Sequence, residues 1–335
     1  MKTLDFRSWA AGIVTTLLLA CMQHNTAVAD ERIHYRLKWL FNASVIGDMY
    51  AQTHGIFKSA GLDVKVKEGG PERDAIKELE LGYAQFGVAS ADQVIRALHK
   101  GSPVVVIAQL FQVNPLQWIY RNTHSEIRRL DTLRGKTIGI TYGGNDETIL
   151  RTLLAKAGIG EEEVRLFSVR YDYTPFYRHR VDLWPVYRNT QGVIISEKLE
   201  RAGEGLRYFN PDEFGVTFVS NSVVTSAKML KEAPRQVHRF LTALLTGWKQ
   251  ALAAQNRQRA IEVLQKFDPD TSPKILGKQL DMTRLMVWPK PSFVIGVINV
   301  SAWQQTERIM LAQHQIQRPV DVARALKTFL VNTAK

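Results

Sequence analysis

The chain has 335 residues, of which 45% are hydrophobic and 23% charged, with a formal charge of +12; this suits about two globular lobes and excludes a disordered chain. Its single cysteine, Cys21, excludes a disulfide framework and a thiolate metal site. The positive residues are scattered (Arg128-Arg129, Arg178-His179-Arg180, the stretch 228–239) rather than massed or interleaved with aromatics, so no nucleic-acid partner is expected.

At the N-terminus, Lys2 and Arg7 flank a polar start, and 9–20 is an uncharged, mostly apolar run. It is short for a membrane span and suits the apolar part of a secretory signal over 1–29. Two exits stay open. Ala27-Val28-Ala29 has the small-x-small pattern of signal cleavage and would release a soluble periplasmic protein, whereas Leu18-Leu19-Ala20-Cys21 resembles a lipoprotein box, with anchoring through Cys21. Both imply export.

Beyond the signal, the pattern predicts a strand over 33–40, a helix over 47–60 ending at Gly61, and a strand over 62–66 of alternating apolar and polar residues. A helix over 73–81, a strand over 84–88, a helix over 91–100 and a buried strand over 104–108 follow. A second set comprises strand 136–141, helix 146–157, strand 164–169, a short helix over 175–180, strand 183–187 and a further run over 192–196. The runs 216–221 and 222–225 return the chain to the first set, and helices are expected over 234–254, 257–267, 272–286, 301–312 and 320–331. Such alternation predicts an α/β protein with largely parallel sheets, the second lobe inserted into the first. The expected division is lobe 1 over 30–124 and 222–335 and lobe 2 over 125–221, with a ligand crevice at the carboxyl ends of the strands.

Catalytic and cofactor motifs are missing from the sequence. The eight histidines form no HExxH or short-spaced pair, Ser90 in GVASADQ lacks the GxSxG elbow, and neither GxGxxG nor GxxxxGK[ST] occurs. No metal, no cofactor and no catalytic residue is therefore expected. The candidates are ligand-binding residues on loops after strands. Trp39 offers a ring for stacking and Asn42 both a donor and an acceptor. Ser90 and Asp92 open a helix, either toward a ligand or as a plain cap. In Tyr142-Gly143-Gly144-Asn145-Asp146-Glu147 the glycines permit close backbone approach, while the acidic pair would repel phosphate and accept from an amino group. Trp184 and Tyr187 follow another strand, either as crevice walls or as packing.

The succession LKWLFNASVIGDMYAQTHGIFKSAGLDVKV, LELGYAQFGVASADQVIRALHKGSPVVVIAQL, LRGKTIGITYGGNDETILRTLLAKAGI and HRVDLWPVYRNTQ resembles the NMT1/THI5-like substrate-binding proteins of ABC importers, over about residues 33–225. The resemblance implies a type II periplasmic-binding-protein fold, two lobes with a crevice between them, and a monomer that is not an enzyme. Such a protein captures a small molecule by lobe closure and delivers it to a permease in the inner membrane. The Tyr142–Glu147 turn looks most like the branch that binds thiamine-precursor pyrimidines; riboflavin, sulfonate and nitrate are alternative ligands. A pyrimidine synthase and an extracytoplasmic sensor subunit are alternative functions. Against the synthase pattern, Phe41 stands in place of its Pro, Val45 in place of its His, and the CCCFC motif is missing.

Overall fold

The computed structural model describes residues 32–70, 72–169 and 172–329. The expected signal over 1–29, with Cys21 and the Ala27-Val28-Ala29 exit, lies outside them. The described residues from Ile33 onward belong to one unit by contact.

The first sheet contains β1 (Ile33–Arg36), β2 (Val64–Lys67), β3 (Phe86–Ala89), β4 (Val104–Gln109) and, from much later in the chain, β10 (Ser222–Ser226). Their order is β2-β1-β3-β10-β4. β1 runs parallel to β2 and β3, and β10 runs antiparallel to β3 and β4. The burial of each strand follows its place: VVVIAQ in β4 is buried throughout, while VKVK in the edge strand β2 turns its lysines outward.

Helices α1 (Ile46–Thr53), α2 (Ile56–Ser59), α3 (Ala75–Glu80) and α4 (Ala91–His99) connect these strands. The single helix expected over 47–60 is two, because Gly55 sits in the left-handed region at φ 67° and breaks the ladder between α1 and α2.

The second half repeats the plan. β6 (Thr137–Ile140) pairs parallel with β7 (Arg165–Ser168), and a parallel bridge from Ile138 to Leu183 joins β6 to the entry of β8 (Trp184–Tyr187). β5 (Leu116–Arg121) lies antiparallel between β8 and β9 (Leu206–Phe209). The resulting order β7-β6-β8-β5-β9 matches the first sheet, each having one antiparallel strand inserted where the chain crosses over. Helices α5 (Asn145–Ala157), α6 (Thr174–Tyr177) and α7 (Gln191–Arg201) complete this half.

Of the C-terminal helices, α8 (Ala227–Glu232) is short, and α9 (Pro234–Leu252), α10 (Arg257–Phe267), α11 (Pro273–Val287) and α12 (Val300–Ala312) follow. The stripe Val237, Phe240, Leu241, Leu244 and Trp248 of α9 is buried. It faces the first sheet, with Phe240 stacked on Phe86 at 3.7 Å between centroids.

Further expectations change. β5 and β9 were not foreseen, and LQWIYR of β5, expected in lobe 1, pairs with strands of the second half. The run 192–196 is part of α7 rather than extended. Residues 216–221 form no strand; they are irregular and mostly buried, and the strand begins at Ser222. The helix expected over 320–331 is a 3-10 turn, Val322–Ala325, after which Leu326 bridges Val106 at the edge of β4. The Glu307 carboxylate accepts from the amides of Val320, Asp321 and Val322, so those donors are satisfied without a helix.

Candidate functional site

A cavity of about 260 Å³ opens where the carboxyl ends of β1 and β8 face each other. From the segment after β1 come Lys38, Trp39, Asn42, Ser44 and Val45; from the turn between β8 and α7 come Tyr187, Thr190 and Gln191; Asn221, just before β10, completes the wall.

Local chemistry explains each placement. β1 ends at Arg36 rather than at residue 40, so Lys38 and Trp39 leave the sheet and can face the cavity. The Gly69 amide donates to the Trp39 carbonyl at 3.0 Å and the Phe41 amide to Glu68 Oε1 at 2.8 Å, pinning the loop. Gly69 is required there, since a Cβ would lie 2.0 Å from the Leu37 carbonyl oxygen. Asn42 Oδ1 accepts from the Ser44 amide at 2.8 Å, capping the turn Ala43–Val45, while its Nδ2 donates to the Leu40 carbonyl. Opposite, Gln191 Oε1 accepts from the Tyr187 amide at 3.2 Å and from Thr190 Oγ1 at 2.7 Å.

Two contacts span the cavity's walls. Lys38 Nζ donates to the Tyr187 hydroxyl at 3.3 Å. Buried Asn189 donates from Nδ2 to Ser44 Oγ at 3.0 Å and to Thr283 Oγ1 of α11 at 2.9 Å. Burial acts to lower the Lys38 pKa, but the Tyr187 oxygen and Asp92 outweigh it and hold the pKa above the ordinary lysine value.

The expected residues divide accordingly. Trp39, Asn42 and Tyr187 line the cavity. Ser90 and Asp92 sit beside it as the cap of α4: Ser90 Oγ donates to Asp92 Oδ1 at 2.5 Å, the Ser90 amide to Gln93 at 3.1 Å, and Arg96 pairs with Asp92. Their reach is through Lys38, whose charge Asp92 supports.

Tyr142, Gly143, Gly144, Asn145 and Glu147 are not brought to this wall. Tyr142 is exposed, and the acidic residues close their own turn. Asp146 Oδ2 accepts from the Thr141 amide at 2.6 Å, and Glu147 accepts from the Gly143 amide at 2.7 Å and from Arg151 at 2.8 Å. Burial pushes Asp146 up to about 6. Trp184 is packing: it is 1% exposed, among Phe167, Tyr173 and Phe176.

Sequence reasoning missed Lys38, Ser44, Thr190, Gln191 and Asn221. The signal for Lys38 was its position beside Trp39 past a strand end; a lysine there reads as solvent-facing until the strand is seen to stop. As a set, the walls offer two ring faces, amides, hydroxyls and one ammonium. That suits reversible capture of a small flat molecule.

Known proteins resemble this chain in sequence or in fold. A relative from Haemophilus influenzae named for thiamine biosynthesis is 25% identical over 73% of this chain and 74% of its own. The formylaminopyrimidine-binding protein of Halalkalibacterium halodurans is 24% identical over 92% and 94%, and the riboflavin-binding protein RibY of Chloroflexus aurantiacus 25% over 88% and 84%. The pyrimidine phosphate synthases of Saccharomyces cerevisiae reach 23% over 68% of each chain. Among solved structures, the periplasmic aliphatic sulphonate binding protein SsuA of Escherichia coli superposes with a TM-score of 0.70 at 16% identity, over 89% of this chain and 92% of that one. The fold is therefore the type II periplasmic-binding-protein fold. The sequence model described as NMT1/THI5 like matches residues 42–258, and the chain belongs to that family.

Proposed function

We propose that this chain is the solute-capturing component of an ABC importer, exported to the periplasm, which binds a small flat heterocycle of the thiamine-precursor pyrimidine class and delivers it as a monomer to an inner-membrane permease. The observation that carries the reading is the cavity itself. Its volume, about 260 Å³, lies below the range of about 300–1,000 Å³ usual for drug-sized ligands, which favours one pyrimidine ring over a flavin. The rings of Trp39 and Tyr187 supply stacking faces, and Asn42, Ser44, Thr190, Gln191 and Asn221 supply donors and acceptors to its edges.

Residues 110–115, between β4 and β5, and 219–221, before β10, link the first sheet to the strands of the second half, and in this reading they are the hinge on which both walls close on the solute. Closure shifts the population of open and closed forms, and the closed form is what the permease reads. The relatives named as synthases favour an enzyme of the same fold. Against that reading, buried Val45 stands where the synthase pattern has a histidine and carries no group that could move a proton.

Thermal-shift measurement on the mature protein against pyrimidines, flavins, alkanesulfonates and nitrate tests the proposal. The largest rise is expected with a pyrimidine. A response confined to sulfonates or inorganic anions sinks it, and turnover of a bound pyrimidine would favour the enzyme.

A further inference from the structure

Asn189 reaches the first half from the turn between β8 and α7, and its bonds there have a direction. Thr283 Oγ1 lies 2.8 Å from the Gln279 carbonyl oxygen; a carbonyl only accepts, so the Thr283 hydroxyl donates to it. Its oxygen is then left to accept from Asn189 Nδ2 at 2.9 Å, and the same amino group donates to Ser44 Oγ at 3.0 Å. Turning the Asn189 amide over would set its oxygen against a hydroxyl whose hydrogen is already engaged and would strand two N–H groups. That costs more than the single atom, Asn189 Oδ1, that now lacks a partner among the described residues. All three side chains are buried, Asn189 and Thr283 fully.

This polarity ends at the cavity. Ser44 lines it, and among the described residues Asn189 is the one hydrogen-bond partner of Ser44 Oγ. Since that oxygen accepts from Asn189, the hydroxyl hydrogen of Ser44 still needs an acceptor. Two amide oxygens of the wall are already engaged: Asn42 Oδ1 takes the Ser44 amide, and Gln191 Oε1 takes the Tyr187 amide and the Thr190 hydroxyl.

We infer that Ser44 determines specificity as a hydrogen-bond donor: the solute meets it with an unprotonated ring nitrogen, and the relay through Thr283 and Asn189 fixes that direction. The inference deepens the heterocycle reading given above and rests on it. A solute with N–H at the same position would leave the Ser44 hydrogen facing another hydrogen once closure expels water, and a site built for one polarity rejects the other. Because Asn189 belongs to the second half, and Ser44 and Thr283 to the first, the discrimination is assembled as the halves meet. With the halves apart, the Ser44 hydroxyl turns freely.

The test uses four neutral probes at mildly alkaline pH, by calorimetry on the mature protein: 4-amino-2-methylpyrimidine against 2-methylpyrimidin-4-one, and cytosine against uracil. In each pair the second carries N–H where the first has a ring-nitrogen lone pair. Wild type is expected to bind the lone-pair member of at least one pair about tenfold or more tightly, and Ser44→Ala should weaken that member by about tenfold while leaving its N–H partner within about twofold. Thr283→Val keeps the shape but removes the acceptor that orients Asn189, so the preference should shrink, and Thr283→Ser should restore it. A purely structural effect would weaken both members alike; ligand-free melting temperatures establish that the variants are folded. The inference is overturned if wild type binds both members of each pair equally or favours the N–H member, if Ser44→Ala weakens both alike, or if Thr283→Val keeps the full preference. The two readings fail separately. Binding by neither pyrimidines nor flavins removes the heterocyclic solute and this inference with it, whereas pyrimidine binding without a preference that depends on Ser44 removes the inference alone.

Discussion

Single residues show how a charge is read differently once its surroundings are known. Asp48 of α1 lies fully buried, with the Tyr35 hydroxyl donating to its Oδ1 at 2.5 Å. Burial pushes its pKa up to about 7, above the value of about 3.9 for an unfolded aspartate. The folded protein therefore holds a proton that the unfolded chain gives up between about pH 4 and 7, so Asp48 makes stability fall as pH rises through that window. Its share reaches about 4 kcal/mol by the size of the shift. Asp48→Asn should remove this share, raising stability at pH 7.5 relative to wild type while leaving it nearly unchanged at pH 4; urea unfolding at the two values measures it. Buried Asp146 and half-buried Asp212, both pushed up to about 6, keep a residual slope of the same sign in the variant. At this scale the sequence revealed rings better than charges. Of the four rings named from the sequence, Trp39 and Tyr187 line the cavity, whereas Trp184 is packing and Tyr142 is exposed away from it. Asp146 and Glu147 looked like ligand acceptors, yet first-turn acids first satisfy their own helix end, and here they do.

At the scale of elements, the buried stripe of α9 lies at helical spacing, but the approach of α9 to α1 is set by residues without side chains. Gly47 of α1 and Gly247 of α9 meet where the helices cross: a Cβ on Gly247 would lie 2.5 Å from the Ala51 Cβ and 2.9 Å from the Gly47 carbonyl oxygen, and one on Gly47 would enter the Trp248 ring. Gly247→Ala should therefore destabilise by about 1–3 kcal/mol through overpacking, despite alanine's better helix propensity; a lower midpoint in chemical denaturation is the expected reading, and an unchanged one would mean that the helices separate freely. The strands β5 and β9 escaped notice for a related reason. Gln117 and Arg121 interrupt the apolar pattern of β5, yet both are buried, Arg121 being paired with Glu204 and donating to the Phe176 carbonyl. Periodicity cannot foresee a buried charge whose partner comes from a distant element. Nor could it foresee that Glu307 would satisfy three amides of the C-terminal segment and leave Leu326 free to cover the edge of β4.

For the molecule as a whole, the alternating elements made two α/β halves legible, whereas the contacts between the halves come from side chains far apart in sequence. Outside the cavity lining, Glu197 of α7 has a side chain only 7% exposed, paired with Lys278 and lying 3.8 Å from Lys274, both on α11. Since α11 packs with the first half and α7 belongs to the second, this cluster and the Asn189 bridge to Thr283 tie the two walls on one side. A tie of that kind biases the halves toward each other before any solute arrives, and apparent affinity scales with the fraction of molecules in the binding-competent form. Lys278→Met, which touches no residue of the cavity wall, should then weaken solute binding by about two- to fivefold at low salt, and wild type should approach the variant as salt screens the pair. Calorimetry at two ionic strengths, with small-angle scattering of the solute-free forms, measures both effects. The variant is expected to have the larger radius of gyration. Equal affinities and equal radii would mean that α7 and α11 travel as one body, placing the moving boundary on the far side of α11.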